Sequence, residues 1–201
     1  MRKLSKITES VWGDIRKKSL GQETRGEDEW VIDLMKQFIA RHPMLKEGEY
    51  QISDLKLNLS VAVRIDEEDL VDGKFPFKFG KVYDFIADNI GLVSLENSPD
   101  EVENDFVVNG NNLTNFIGGP KKVGRTFSAN FNNDLESLDG SPDEVGNYCI
   151  IGCRRVKDIK GITPVINKEF RASEEVKQTP PFTDDDYRKY SDIRGKIVRR
   201  F

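Results

Sequence analysis

The chain has 201 residues, 31 Lys and Arg against 35 Asp and Glu for a net charge of -4, 37% hydrophobic and 33% charged residues, and 12 Phe. That length fits one domain of ordinary size or one domain with appended tails, and the apolar content is enough for a core, which excludes global disorder. There is no run of 18 apolar residues, and the basic N-terminus leads into polar residues, so the sequence reads as having no membrane span and no secretory leader.

In residues 1 to 18, Leu4, Ile7, Val11 and Ile15 share one helical face, Trp12 lies at its edge, and six basic residues stand against Glu9 and Asp14. This is an amphipathic helix pattern. A polar, glycine-containing stretch follows, so residues 1–27 are expected to form an amphipathic arm and linker. From Asp28 to Arg41, Trp30, Val31, Leu34, Met35, Phe38 and Ile39 recur at helical spacing, with acidic residues at the start and Pro43 as a stop. This helix is assigned to cover the first sheet. Leu55, Leu57, Leu59, Val61, Val63 and Ile65 then alternate with Lys56, Asn58, Ser60, Ala62 and Arg64, and Phe75, Phe77 and Phe79 alternate after an acidic turn. These read as a strand pair, making residues 28–90 a helix and strand cap.

The middle of the chain repeats. Leu92-x-x-Leu95 leading to Pro99 and Val102 is answered by Leu113-x-x-Phe116 with Pro120 and Val123, and by Leu135-x-x-Leu138 with Pro142 and Val145. A weaker copy runs from Val156 through Ile159 to Pro164, and the prolines step by 21 or 22 residues. A fixed period of this length predicts a solenoid, because one unit cannot bury its apolar face without a neighbour. Residues 91–170 are therefore expected to stack as about four repeats. Leu92, Leu113 and Leu135 would form one inward ladder, Leu95, Phe116, Leu138 and Ile159 a second, and Val102, Val123 and Val145 a third. A fourth ladder is read as Phe85, Phe106, Phe127 and Cys149, with Phe170 beyond. Asn109 and Asn130, with Asp88 and Gly152 at matching places, would satisfy backbone groups at the turns.

Beyond the repeats, Pro180-Pro181 and Asp184-Asp185-Asp186 read as extended chain, followed by six basic residues against Asp192 from 188 to 201. Residues 171–201 are thus expected to be an extended basic arm. The repeat body from 91 to 147 is the reverse, with ten acidic residues against Lys121, Lys122 and Arg125. Glu101 and Glu144 recur at one place in the coil, as an acidic, solvated face.

The fold class read from the sequence is α+β: a short β-rich, leucine-rich-like solenoid with an N-terminal helix and strand-pair cap and extended terminal arms. Catalytic constellations are missing from this reading. The only histidine, His42, lies where a helix stops, and no Gly-x-Ser-x-Gly turn, Walker loop or dinucleotide fingerprint occurs. Cys149 and Cys153 with one histidine cannot supply four zinc ligands. No enzyme activity, cofactor or metal is expected.

The repeats resemble the short leucine-rich-like family, L-x-x-L-x-G-x-P-x-x-V followed by a strand, of tailed bacteriophages and some bacteria, with departures at Ser98 and Thr163. The resemblance implies a binding or packing surface without chemistry. The opening Lys3 to Ser19, with Trp12 and Asp14, resembles an L-T-E-S-x-W-x-D-I motif found on otherwise different phage-encoded proteins. A peptide shared by unrelated bodies implies a docking tag, with Leu4, Ile7, Val11, Trp12 and Ile15 in a partner's groove and Arg16 at its acidic rim. Tyr187, Tyr190, Arg199, Arg200 and Phe201 are the partner-binding candidates at the other end. The resemblance implies a setting in a virion or a host cytoplasm; the expected partners are phage structural proteins or a host protein, and self-association is a further expectation. The competing reading is a soluble phage effector that blocks a host protein through the acidic repeat face. Nucleic acid is disfavoured because six charges without a recognised module give only nonspecific affinity.

Overall fold

The computed structural model describes residues 27–150, 152–153, 155–157, 159–173 and 183–200. Two compact units are present, Met1–Pro43 and Met44–Phe201. In the first, an acidic opening turn favoured by the backbone dipole starts α1 (Glu27–Arg41), which agrees with the helix read from the sequence. Past its last turn, His42 Nδ1 donates to the Phe38 carbonyl oxygen at 2.9 Å and the two rings stack with centroids 4.0 Å apart. The single histidine finishes a helix.

The second unit is a β-rich solenoid of about five turns. It opens with β1 (Tyr50–Ser53) and β2 (Lys56–Arg64), an antiparallel hairpin whose turn is Asp54 and Leu55, both left-handed at φ 51° and 55°. Leu55 therefore belongs to the turn and is exposed, whereas Leu57, Leu59 and Val63 point into the core as the alternation predicts. From there the strands run parallel: β3 (Lys78–Ile86), β4 (Glu101–Val102), β5 (Asp105–Val107), β6 (Lys122–Ser128), β7 (Glu144–Ile150) and β8 (Val165–Ser173). Because β2 pairs with β3 in parallel, β2 is itself a rung of the solenoid.

The ladders are in register. Val82, Val102, Val123, Val145, Ile166 and Ile193 are successive Cα partners, and all are buried. The two leucine ladders, Leu92–Leu113–Leu135 and Leu95–Phe116–Leu138–Ile159, are buried as well. The aromatic ladder differs at one place. Tyr148, not Cys149, is the partner of Phe127, and the column runs Phe85, Phe106, Phe127, Tyr148, Phe170 with neighbouring centroids 5.2 to 5.8 Å apart. Cys149 pairs instead with Ser128 and Arg171.

The cause is a corner of variable length. Two residues, Gly124 and Arg125, separate Val123 from Thr126, whereas Gly146 alone separates Val145 from Asn147. The aromatic residue of that coil arrives three places after its valine instead of four.

Nor are residues 183–200 an extended arm. They form α2 (Asp184–Tyr190), β9 (Asp192–Ile193) and β10 (Lys196–Arg200), and both strands pair in parallel with β8. Thr183 caps the helix. Its hydroxyl accepts from Asp186 N at 3.2 Å, and the Asp186 carboxylate accepts from Thr183 N at 2.6 Å. The aspartate run read as extended chain is thus the acidic first turn of a capped helix. Tyr187 on α2 is buried and packs on Phe170 with centroids 4.6 Å apart, adding a sixth ring to the ladder.

Candidate interaction surfaces

Sharp turns are built where the leucine segment meets each proline. Asn97, Gly118 and Gly140 occupy one place in three successive coils and are left-handed at φ 66°, 88° and 87°. This explains the small or amide residue ahead of each proline. Across the coil, Asn89, Gly110, Phe131 and Gly152 form a second left-handed column at φ 56°, 65°, 57° and 78°. A phenylalanine there costs about 1–2 kcal/mol relative to glycine, and Phe131 is 58% exposed, so burial does little to offset that cost.

The turns hold the most buried polar groups, and these were not singled out in the sequence. Asn111 Oδ1 accepts from Ile90 N and Leu92 N at 3.1 Å each, while its Nδ2 donates to Ala87 O at 2.7 Å and Val108 O at 3.1 Å. Asn132, one coil on, repeats this with Leu113 N, Val108 O and Ala129 O. Cys153 takes the next place, its Sγ donating to Ala129 O at 3.2 Å. The readable signal was Asn-x-Asn at 109 and 111 and again at 130 and 132. Asp88 and Asn109 meet the expectation placed on the turn: Asp88 Oδ1 accepts from Asn109 N and Asn109 Oδ1 from Asn130 N, at 2.9 and 2.7 Å.

Charge on the strand faces is organised differently from the acidic ladder expected. Lys81, Glu101, Lys122 and Glu144 are successive Cα partners, so the column alternates in sign. Lys122 is what separates Glu101 from Glu144. Other acids pair between coils. Asp100 meets Lys56 at 2.8 Å and Lys78 at 2.9 Å, Glu103 meets Lys81 at 2.8 Å, and Glu136 meets Lys157. Burial pushes the Asp100 carboxyl up, but the two lysines outweigh it and hold it below the usual range. The Arg125 guanidinium holds Asp105 low in the same sense. Opposite charges one coil apart, or two for Lys56 and Asp100, act here as links between rungs.

Of the candidate partner-binding residues, Leu4, Ile7, Val11, Trp12, Ile15, Arg16 and Phe201 lie outside the described residues. Tyr187 has its ring taken up in the core, and Tyr190 is 38% exposed with Lys189 Nζ 5.4 Å from its ring centroid. Arg199 and Arg200 lie in β10. Other basic groups of this end bond to their own coils: Arg188 to Ile193 O, Arg194 to Asn167 Oδ1 at 2.9 Å and Lys196 to Glu169 at 3.5 Å.

A shallow depression of about 210 Å³ lies between the opening hairpin and the next coils, lined by Glu49, Tyr50, Asn58, Ser60, Lys81 and Glu103. Among the described residues no group of His, Cys, Asp and Glu is placed to hold a metal ion, and no helix is long and apolar enough to cross a membrane. Both thiols are buried, and burial pushes Cys149 up and Cys153 up to about 12.

No protein-family model, curated protein or solved structure matches this chain.

Proposed function

We propose that the protein is a non-enzymatic interaction module, a rigid β-solenoid that docks onto a protein partner through its terminal segments, as a component of a bacteriophage virion. The observation that carries this reading is the continuous ladder from Phe85 to Tyr187, with every ring from Phe85 to Phe170 fully buried. A solenoid filled along its axis leaves its elongated sides and its ends as the surfaces that meet other molecules. The strand-face charges are largely turned toward one another, which favours the ends over a uniformly acidic face as the docking element. Support for the phage setting comes from the resemblance of Lys3 to Ser19 to a motif on phage-encoded proteins and of the repeats to the leucine-rich-like family.

The test is a pull-down from phage-infected cells and from purified particles with the full chain beside a chain starting at Ser19, read by mass spectrometry. Capsid or tail proteins retained by the full chain alone are the expected result. A host protein retained equally by both overturns terminal docking.

A further inference from the structure

We propose that the outer strand face from β3 to β7 is a self-complementary surface that binds a second copy of this chain. The inference stands beside the terminal docking reading and does not rest on it. Two columns of charge run side by side along this face. Lys81, Glu101, Lys122 and Glu144 are successive Cα partners, each one place before a buried valine, and all four are exposed. Asp100, Lys121 and Asp143 form the second column, joined rung to rung by Lys121 N donating to Asp100 O and Asp143 N to Lys121 O, at 2.9 Å each. The rungs therefore read basic, acidic, basic, acidic. Their side chains are not equally committed. Lys81 pairs with Glu103 and Glu144 accepts from Asn167 Nδ2, whereas the exposed side chains of Glu101, Lys121, Lys122 and Asp143 make no ion pair or hydrogen bond with another described residue.

The order of signs selects the occupant. A partner of uniform charge would meet as many repelling rungs as attracting ones, which disfavours both a nucleic acid and a basic peptide. A match needs charges that alternate at the spacing of hydrogen-bonded strands, about 4.8 Å, and a second copy carries that spacing. The orientation follows from the same order. A two-fold axis parallel to the strands, between the Glu101 and Lys122 rungs, reverses the order of the rungs. It sets Glu101 opposite Lys122 of the second copy, Asp100 opposite its Lys121 and Lys81 opposite its Glu144, so every rung faces the opposite sign. An axis along the solenoid, or one through the Lys122 rung, would set like charges on one another.

Sedimentation velocity on the full chain at about 100 μM, in about 20 mM and about 500 mM salt, tests this. The parent is expected to dimerise in low salt and to associate about tenfold more weakly or worse in high salt, because exposed charges are screened. Glu101→Lys and Lys122→Glu, each alone, place like charges across the two-fold and are expected to weaken dimerisation by about tenfold or more. Mixed in equal amounts, the two variants are expected to recover the dimer, since at these two positions each glutamate of one then meets a lysine of the other. That recovery also shows that both variants are folded. A parent that stays monomeric in low salt, a dimer indifferent to salt, or single variants that dimerise as the parent does overturns the proposal. Single variants that remain monomeric when mixed overturn the opposition of Glu101 and Lys122, and the proposal with it.

Discussion

Asn132 reaches back one coil, its Nδ2 donating to the Val108 carbonyl oxygen at 3.0 Å and, within its own turn, to Ala129 O at the same distance. With Oδ1 accepting from Leu113 N, a single fully buried side chain closes three backbone groups that no water reaches. Asn132→Ala takes the acceptor from Leu113 N and leaves Val108 O to Asn111 Nδ2 and Ala129 O to the Cys153 thiol, and the expected loss is about 1–3 kcal/mol by urea unfolding. Asn132→Asp should be no milder, because it replaces the donor with a charge. Cys153→Asn, in the next place of the same column, should leave Tm within a few degrees of the parent.

Gly140 is the second case in which the turn dictates the residue. At φ 87°, a Cβ there would lie 2.3 Å from the Phe116 carbonyl carbon of the preceding coil. Backbone cannot yield as a flexible side chain can, so Gly140→Ala is expected to cost about 3 kcal/mol or more in thermal or urea unfolding. Gly91, left-handed but with open space around its Cβ direction, is the control: Gly91→Ala bears only the conformational strain, about 1 kcal/mol.

Asp105 should make the solenoid sensitive to acid. Arg125 holds its carboxyl below the usual range, so the folded chain releases this proton more readily than the unfolded chain. The stabilisation is full above the unfolded carboxyl value near 4 and is lost as the pH falls through the depressed folded value. The urea midpoint of Asp105→Asn should therefore lie below the parent's at pH 7, and the gap should begin to close below about pH 4. A gap that widens in acid contradicts this.

The thiols give a chemical readout of the same packing. With Cys153 pushed up to about 12 and Cys149 raised by burial, neither is a thiolate at pH 8, and a disulfide-exchange reagent should leave the native chain unlabelled. Two thiols per chain should react once denaturant is added. Labelling of the folded protein at the rate of a free thiol would show that these coils open readily.

The period was legible because Leu, Pro and Val mark it with residues that can serve only one face of the coil. The aromatic ladder was legible until Gly146, where the corner loses one residue and Tyr148 takes the place that a fixed spacing gives to Cys149. Both ends were obscured for a related reason. β2 and β9–β10 lack the L-x-x-L step and the proline, yet both keep the four-residue spacing of apolar residues, Leu59 to Val63 and Ile193 to Ile197, that the repeats show from Val102 to Phe106. The capped helix at Thr183 stood behind an aspartate run that composition alone makes look extended. The left-handed, exposed place of Phe131 was invisible without φ.

The opening hairpin has a consequence for growth. Among the described residues, every rung from β2 onward runs in one direction, and β1 alone runs against it. A further molecule adding to this end in the manner of another coil would need an edge of the common polarity, and β1 offers the reverse. The reversed strand therefore closes the parallel order of the stack at β1, so this end and the β10 end present edges of opposite direction.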